Sequence, residues 1–174
     1  IPVSKPYVVL IGTMGAGKTT VGRLLAQRRG LSFRDTDHDV EAQAGRAVSD
    51  IFVESGEATF RELEAKAVAE ALKSHDGVLA LGGGAVLNPG TRALLEGHRV
   101  LFLKVGLADA AKRVGLGVSR PMLLGNVRGR VKQLIEERTP IYESVATLVL
   151  DTSGLSPTQV VELAEQMVEG SRHE

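Results

Sequence analysis

Cysteine and tryptophan are both absent from this 174-residue sequence, and the remaining aromatics are four Phe and two Tyr. Without cysteine there is no disulfide, no thiol nucleophile and no zinc-thiolate site, a composition compatible with a reducing compartment. With so few aromatics, the core has to be built from Leu, Val, Ile and Ala, the mixture expected of buried parallel strands covered by helices. Net charge is missing too. The 21 Lys plus Arg offset 21 Asp plus Glu, so no global positive field draws nucleic acid or an anionic membrane, and any anion site has to be local. No apolar run approaches the roughly 20 residues that span a bilayer. The opening Ile1-Pro2-Val3-Ser4-Lys5-Pro6 has no apolar stretch of the secretory type. His38, His75, His98 and His173 are scattered without ligand spacing, which argues against a histidine metal site. These absences predict a cytoplasmic protein with no nucleic-acid or membrane partner; the length of 174 residues predicts one domain, and a monomer is expected.

What is present is an alternation of short apolar runs and helical spacing, the signature of a parallel sheet. Runs at 8–11, 31–34, 78–81, 100–105 and 148–150 predict five strands. Helices are predicted over 18–29, closed by Gly30, and over 57–73, where Phe60, Leu63, Ala67, Val68, Ala71 and Leu72 form one stripe. Asn88-Pro89 caps another, and a short one is expected near 109–114. The segment 115–125, with three glycines and a proline, predicts a mobile loop. A further helix is expected over 127–138, interrupted by Pro140, and a last one opens on the capping box Ser156-Pro157-Thr158-Gln159 and runs to about 168. The fold class that results is α/β, a doubly wound five-stranded parallel sheet flanked by helices.

Gly12-Thr13-Met14-Gly15-Ala16-Gly17-Lys18-Thr19 is a glycine, four residues, then Gly-Lys-Thr, set between a predicted strand and a predicted helix. Glycines let backbone wrap phosphate oxygens, and amides at the helix start favour negative charge. The ATP-binding set expected here is Gly15, Ala16, Gly17, Lys18, Thr19 and Thr20, with Lys18 reaching the β- and γ-phosphates and the Thr19 hydroxyl on Mg²⁺. Switches, motors and kinases all use this loop, so it does not name what receives the phosphoryl group.

Four further elements point to a kinase with a carboxylated acceptor. Asp35-Thr36-Asp37 ends the second strand, where period-two alternation puts both carboxylates on one side. One is suited to support Mg²⁺ through water and the other to hold an acceptor hydroxyl; a solvated strand end would read the same way. Gly82-Gly83-Gly84 is a place for amides to approach a ligand closely, or a plain tight turn. Arg61 and Arg138 each have the fork that grips a carboxylate, with Glu64 one turn after Arg61 to orient it. Arg120-Pro121, in the glycine-rich loop, places an arginine on a closing segment that stabilises charge and excludes water.

Together these residues resemble the shikimate kinases, from the phosphate loop through Asp35-Thr36-Asp37, Phe60-Arg61, Leu81-Gly82-Gly83-Gly84, Arg120-Pro121 and Arg138-Thr139-Pro140-Ile141-Tyr142. The resemblance implies a P-loop kinase fold with a mobile lid at about 115–125 and a substrate-binding region at about 36–64. It implies ATP-dependent phosphorylation of the 3-hydroxyl of shikimate to shikimate 3-phosphate and ADP, in aromatic amino acid biosynthesis. Lys18, Asp37 and Arg120 are then the catalytic residues, with Asp37 on the acceptor hydroxyls. Arg61, Arg138 and the Gly83 amide would hold the carboxylate beside Gly82 and Gly84, with Phe52 and Phe60 lining the pocket. Arg113 and Pro157 would flank the adenine, and Thr19 and Asp35, the latter through water, would serve Mg²⁺. A kinase for a sugar acid or a nucleotide, and a nucleotide-binding switch without transfer, are the competing readings.

Overall fold

The computed structural model of the protein describes residues 5–13, 15–106 and 127–171. The expected helix near 109–114, the loop 115–125, Arg113 and Arg120 lie outside the described residues.

Strands β1 (Val8–Ile11), β2 (Phe33–Asp35), β3 (Val78–Ala80), β4 (Val100–Lys104) and β5 (Leu148–Asp151) form one sheet in the order β2-β3-β1-β4-β5. All four pairings are parallel, with Leu10 in register with Ala80 on one side and Leu101 on the other. Both faces of β1 are buried, so its sequence is a continuous apolar run rather than an alternating one. Alternation appears instead in which helix layer each residue meets. Val8, Leu10, Val78, Ala80, Leu101 and Leu103 pack with residues of α1 (Lys18–Arg29) and of the last helix, α6 (Pro157–Ser171). Val9, Ile11, Leu79, Leu81, Val100 and Phe102 pack on the other face. Their partners there include Val68, Ala71 and Leu72 of α3 (Val48–Ser74), and Tyr142 of α5 (Val127–Val145). The short α4 (Pro89–Leu94) follows the Asn88 cap, whose side chain accepts from Gly90 N–H.

A third, smaller cluster of Val40, Ile51, Phe60 and Ala67 joins α2 (Thr36–Ala44) to α3. Sequence periodicity finds neither α2 nor the first nine residues of α3. Both are short and half-exposed, so their apolar stripe is too brief to show a period. Gly56, at φ 86° and ψ 165°, breaks α3 close to the expected start at 57. Arg46 ties the front piece together through Glu54 Oε2 at 2.6 Å and Ser55 Oγ at 3.2 Å.

The caps behave as the sequence predicts. Gly30 closes α1 at φ 66°, and Ser156 and Gln159 exchange hydrogen bonds of 2.9 and 3.2 Å at the start of α6. Pro140 does not end α5, which continues to Val145. The missing N–H of this exposed proline leaves the Glu136 carbonyl, also at an exposed position, open to water, while buried Tyr142 anchors the turn beyond it.

Leu10 is wholly buried on the central strand. Leu10→Ala is expected to lower unfolding free energy by about 3 kcal/mol, read from urea denaturation, because neighbouring strands on both sides prevent the site from collapsing around the lost volume.

Candidate active site

The carboxyl ends of β1, β2 and β3 face one side, where open parallel sheets gather their ligands. Strand β1 runs into the glycine loop, and Gly17 caps α1 in a left-handed conformation at φ 88°. Lys18, the first residue of α1, folds back so that Nζ donates to the carbonyls of Gly12 at 2.6 Å and Thr13 at 3.2 Å. Burial pushes the Lys18 amine down from 10.5 to about 8, although Asp37 and Asp35 favour its charged form; Arg138 adds a smaller push downward. Thr19 Oγ1 donates to Asp35 Oδ2 at 3.2 Å.

Asp35 and Asp37 share a site for a reason other than strand alternation. Asp35 ends β2 and is the N-cap of α2, its Oδ1 accepting from Asp37 N–H at 2.9 Å, and Asp37 already lies in the first helical turn. The cap brings the two carboxylates together that the sequence reading had placed along an extended strand. Burial, with Asp35 nearby, raises the Asp37 carboxyl above its ordinary value, while Lys18 pulls it the other way.

The three glycines leave β3 against this pair. Gly82 N–H donates to the buried Thr36 Oγ1 at 3.2 Å, and the Tyr142 hydroxyl donates to Gly83 O at 2.5 Å. A Cβ on Gly82 would stand 2.6 Å from Asp37 Oδ1 and 3.1 Å from Glu64 Oε2. A Cβ on Gly84 would stand 2.5 and 2.6 Å from the two terminal nitrogens of Arg61. Absent side chains therefore make room for charged groups that have to approach the backbone. Arg61 donates to Glu64 Oε1 at 2.8 Å and lies over the Phe60 ring at 5.3 Å. Glu64 is only 3% exposed. Its burial raises its carboxyl above the usual range despite the guanidinium beside it.

These groups line one cavity of about 980 Å³. Gly15, Gly17, Lys18, Thr19, Thr20 and Asp35 form its nucleotide-loop side. Asp37, Arg61, Gly82, Gly83, Gly84 and Arg138 form the opposite side, and Phe52 and Phe60, with ring centroids 4.7 Å apart, complete it. Ala16 is not on this surface: it is 2% exposed and belongs to the core beneath the loop. Pro157 is exposed at the start of α6 and does not line the cavity. Sequence reading missed Glu57, Arg130 and Leu134, which also line it. Arg130, Leu134 and Arg138 are spaced four apart on α5, a helical signal that could have found the first two once Arg138 was chosen.

A phosphate loop at the end of a central strand, opposite a cavity wall carrying two arginines and a carboxylate, defines a P-loop phosphotransferase with a small-molecule acceptor. The family model for shikimate kinase matches residues 14–169. The shikimate kinase of Thermobifida fusca is 61% identical over 160 residues, covering 92% of this chain and 93% of that protein. That of Streptomyces coelicolor is 51% identical over 167 residues, covering 96% and 98%. The solved shikimate kinase from Acinetobacter baumannii, in complex with shikimate, superimposes with a TM-score of 0.89 at 31% identity, covering 98% of this chain and 96% of that one. The chain belongs to the shikimate kinase family.

Two outcomes test this geometry. Lys18 is lowered from 10.5 to about 8 by folding, so between those values the unfolded chain holds the proton more tightly and stability rises with pH. Relative to Lys18→Met, the wild type is expected to gain up to about 3 kcal/mol between pH 8 and 10.5 in denaturant titrations; no relative gain would contradict the buried placement. Gly84→Ala is expected to fold normally, since the clash is with the tip of a flexible side chain. It should displace Arg61 and raise the acceptor KM roughly tenfold, as read by steady-state kinetics.

Proposed function

We propose that this chain transfers the γ-phosphoryl group of ATP to the 3-hydroxyl of shikimate, giving shikimate 3-phosphate and ADP for aromatic amino acid biosynthesis. The observation that carries this reading is that Lys18, Asp37, Arg61 and Arg138 line a single cavity. Shikimate is a ring with a carboxylate at one end and hydroxyls at the other. Arg61, Arg138 and the Gly83 amide suit the carboxylate, and Asp37 suits the hydroxyls beside the phosphate loop. Phe52 and Phe60 offer the ring an apolar wall.

Asp37 accepts a hydrogen bond from the 3-hydroxyl and takes its proton as the oxygen bonds to phosphorus. Its raised carboxyl value suits a proton acceptor. Phosphoryl transfer passes through a loose transition state, so the larger share of its work is holding the oxygen in line. Lys18 leaves the carbonyls of Gly12 and Thr13 and donates to the β- and γ-phosphates, while the amides at the start of α1 hold the remaining oxygens.

Thr19 and Asp35 supply oxygen atoms 3.2 Å apart on the phosphate side of the cavity. Among the described residues no group of three or more His, Cys, Asp or Glu is arranged to hold a metal. That sparse oxygen set fits Mg²⁺, which keeps several waters and takes the rest of its ligands from phosphates. Thr19 would hold it directly and Asp35 through water, and Mg²⁺ bound there offsets charge on the phosphates during transfer. The same proposal gives Arg120 the charge of the transferring group. It gives the adenine to Arg113 and Pro157, takes residues 36–64 as the acceptor region of one kinase domain, and treats the protein as a cytoplasmic monomer.

A coupled ADP-release assay is the test, with shikimate, gluconate and nucleoside monophosphates as acceptors. Turnover is expected with shikimate alone, and turnover confined to one of the others would overturn the assignment. Arg61→Ala and Arg138→Ala are each expected to weaken shikimate binding by about 3 kcal/mol while ATP affinity stays near wild type. Titration calorimetry reads both, and normal shikimate binding by the two variants would contradict the carboxylate site.

A further inference from the structure

The backbone of the glycine turn is accounted for almost completely on one side and left open on the other. Gly82 O accepts from Ala85 N–H and Gly84 O from Leu87 N–H, both at 3.1 Å, while Gly83 O takes the Tyr142 hydroxyl at 2.5 Å. Gly82 N–H is spent on Thr36 Oγ1. Among the described residues no acceptor meets the N–H of Gly83 or Gly84, yet both residues line the cavity. Gly84 is buried and Gly83 half-buried, and amides so placed are rarely left without an acceptor.

The peptide joining Gly83 to Gly84 is trans, as are all the described peptide bonds, so its N–H points opposite to its carbonyl. Whatever holds Gly83 O therefore fixes the direction of Gly84 N–H. Tyr142 is well placed to do so rigidly. Its ring is 1% exposed and packed against Phe102, centroids 5.0 Å apart, so the hydroxyl cannot follow the turn if the turn moves. Arg138 precedes Tyr142 by one turn of α5, on the same face. Burial raises the Tyr142 hydroxyl above its ordinary value, and the charges of Arg138 and Arg61 nearby oppose that rise.

We infer that Tyr142 is a positioning residue for the acceptor's carboxylate: its hydroxyl sets the plane of the Gly83–Gly84 peptide and so aims the Gly84 N–H as a further donor to the carboxylate, beside the Gly83 amide assigned above. This rests on the functional reading above and adds to it a residue that never touches the substrate. Tyr142 acts only through the groups that do, so its removal should damage recognition of the carboxylate and leave the phosphate side of the cavity alone.

The test is Tyr142→Phe, which keeps the ring against Phe102, assayed with shikimate and with its uncharged carboxamide analogue. The KM for shikimate is expected to rise roughly tenfold, with kcat within about twofold and the ATP KM unchanged. The wild-type preference for carboxylate over carboxamide should narrow by the same factor. An unchanged shikimate KM in an active wild-type background, or an equal loss on both acceptors, overturns the inference and leaves the functional reading standing. A wild-type protein without shikimate turnover overturns both. If the variant does not fold, the wild-type chain labelled with 3-fluorotyrosine gives a second readout, its two tyrosine signals assigned with Tyr7→Phe. The Tyr142 resonance should shift on saturation with shikimate, and a resonance that stays in place overturns the inference.

Discussion

Removing charge from water costs several kcal/mol per group unless opposite charge and hydrogen bonds are set close by, and this chain does it repeatedly within one cavity. The buried Lys18 amine and the raised carboxyls of Asp37 and Glu64 record that cost. Each group is held in place by another: Lys18 favoured by Asp35 and Asp37, Glu64 bonded to Arg61, Asp35 capping the helix that carries Asp37. The parallel sheet makes the arrangement possible. It ends β1, β2 and β3 on one edge, so that a phosphate loop, an aspartate cap and a glycine turn meet there. A chain of zero net charge thus carries a local field suited to two anionic substrates.

Backbone matters as much as side chains at this edge. Glycine at 82 leaves space for two carboxylates, and glycine at 84 for the Arg61 fork. Planar guanidinium is the group that profits, because it bonds one carboxylate through Glu64 while still presenting nitrogen donors to a ligand. The small α2–α3 cluster, with its break at Gly56, then carries Phe52, Phe60 and Arg61 on a unit joined to the sheet by a long helix. The phosphate loop is built into the sheet's first turn, whereas the side of the cavity proposed to hold the acceptor is assembled from three distant segments. One fold can therefore keep its phosphate chemistry while other chains of the same class change acceptors.

Much of this was legible in the residues. The glycine loop is a local motif whose geometry is dictated by its own sequence, and Lys18 and Thr19 open α1 at the strand-to-helix turn that the motif requires. The runs of β1, β3 and β4 were plain because burial on both faces leaves a continuous apolar signal, while the edge strands β2 and β5 are only partly buried and were found from their place in the alternation. Convergence of Asp37, Arg61 and Arg138 was legible only through the shikimate kinase resemblance, since nothing in local spacing joins residues about a hundred positions apart. Where reading failed, the cause was tertiary. Helix α2 is held by a cap and a small cluster rather than by a long stripe, and α5 runs through Pro140 because the lost hydrogen bond falls toward water. Arg130 and Leu134 are marked only by their helical spacing to Arg138, and Glu57 carries no motif and is defined by the cavity it lines.

The central claim is spatial, and a crystal structure of the protein with shikimate and a nonhydrolysable ATP analogue tests it most directly. The account predicts the shikimate carboxylate between the guanidiniums of Arg61 and Arg138, with the 3-hydroxyl on Asp37 and aimed at the terminal phosphorus beside Lys18. Shikimate bound outside this cavity, or turned so that its carboxylate faces the phosphate loop, would contradict it.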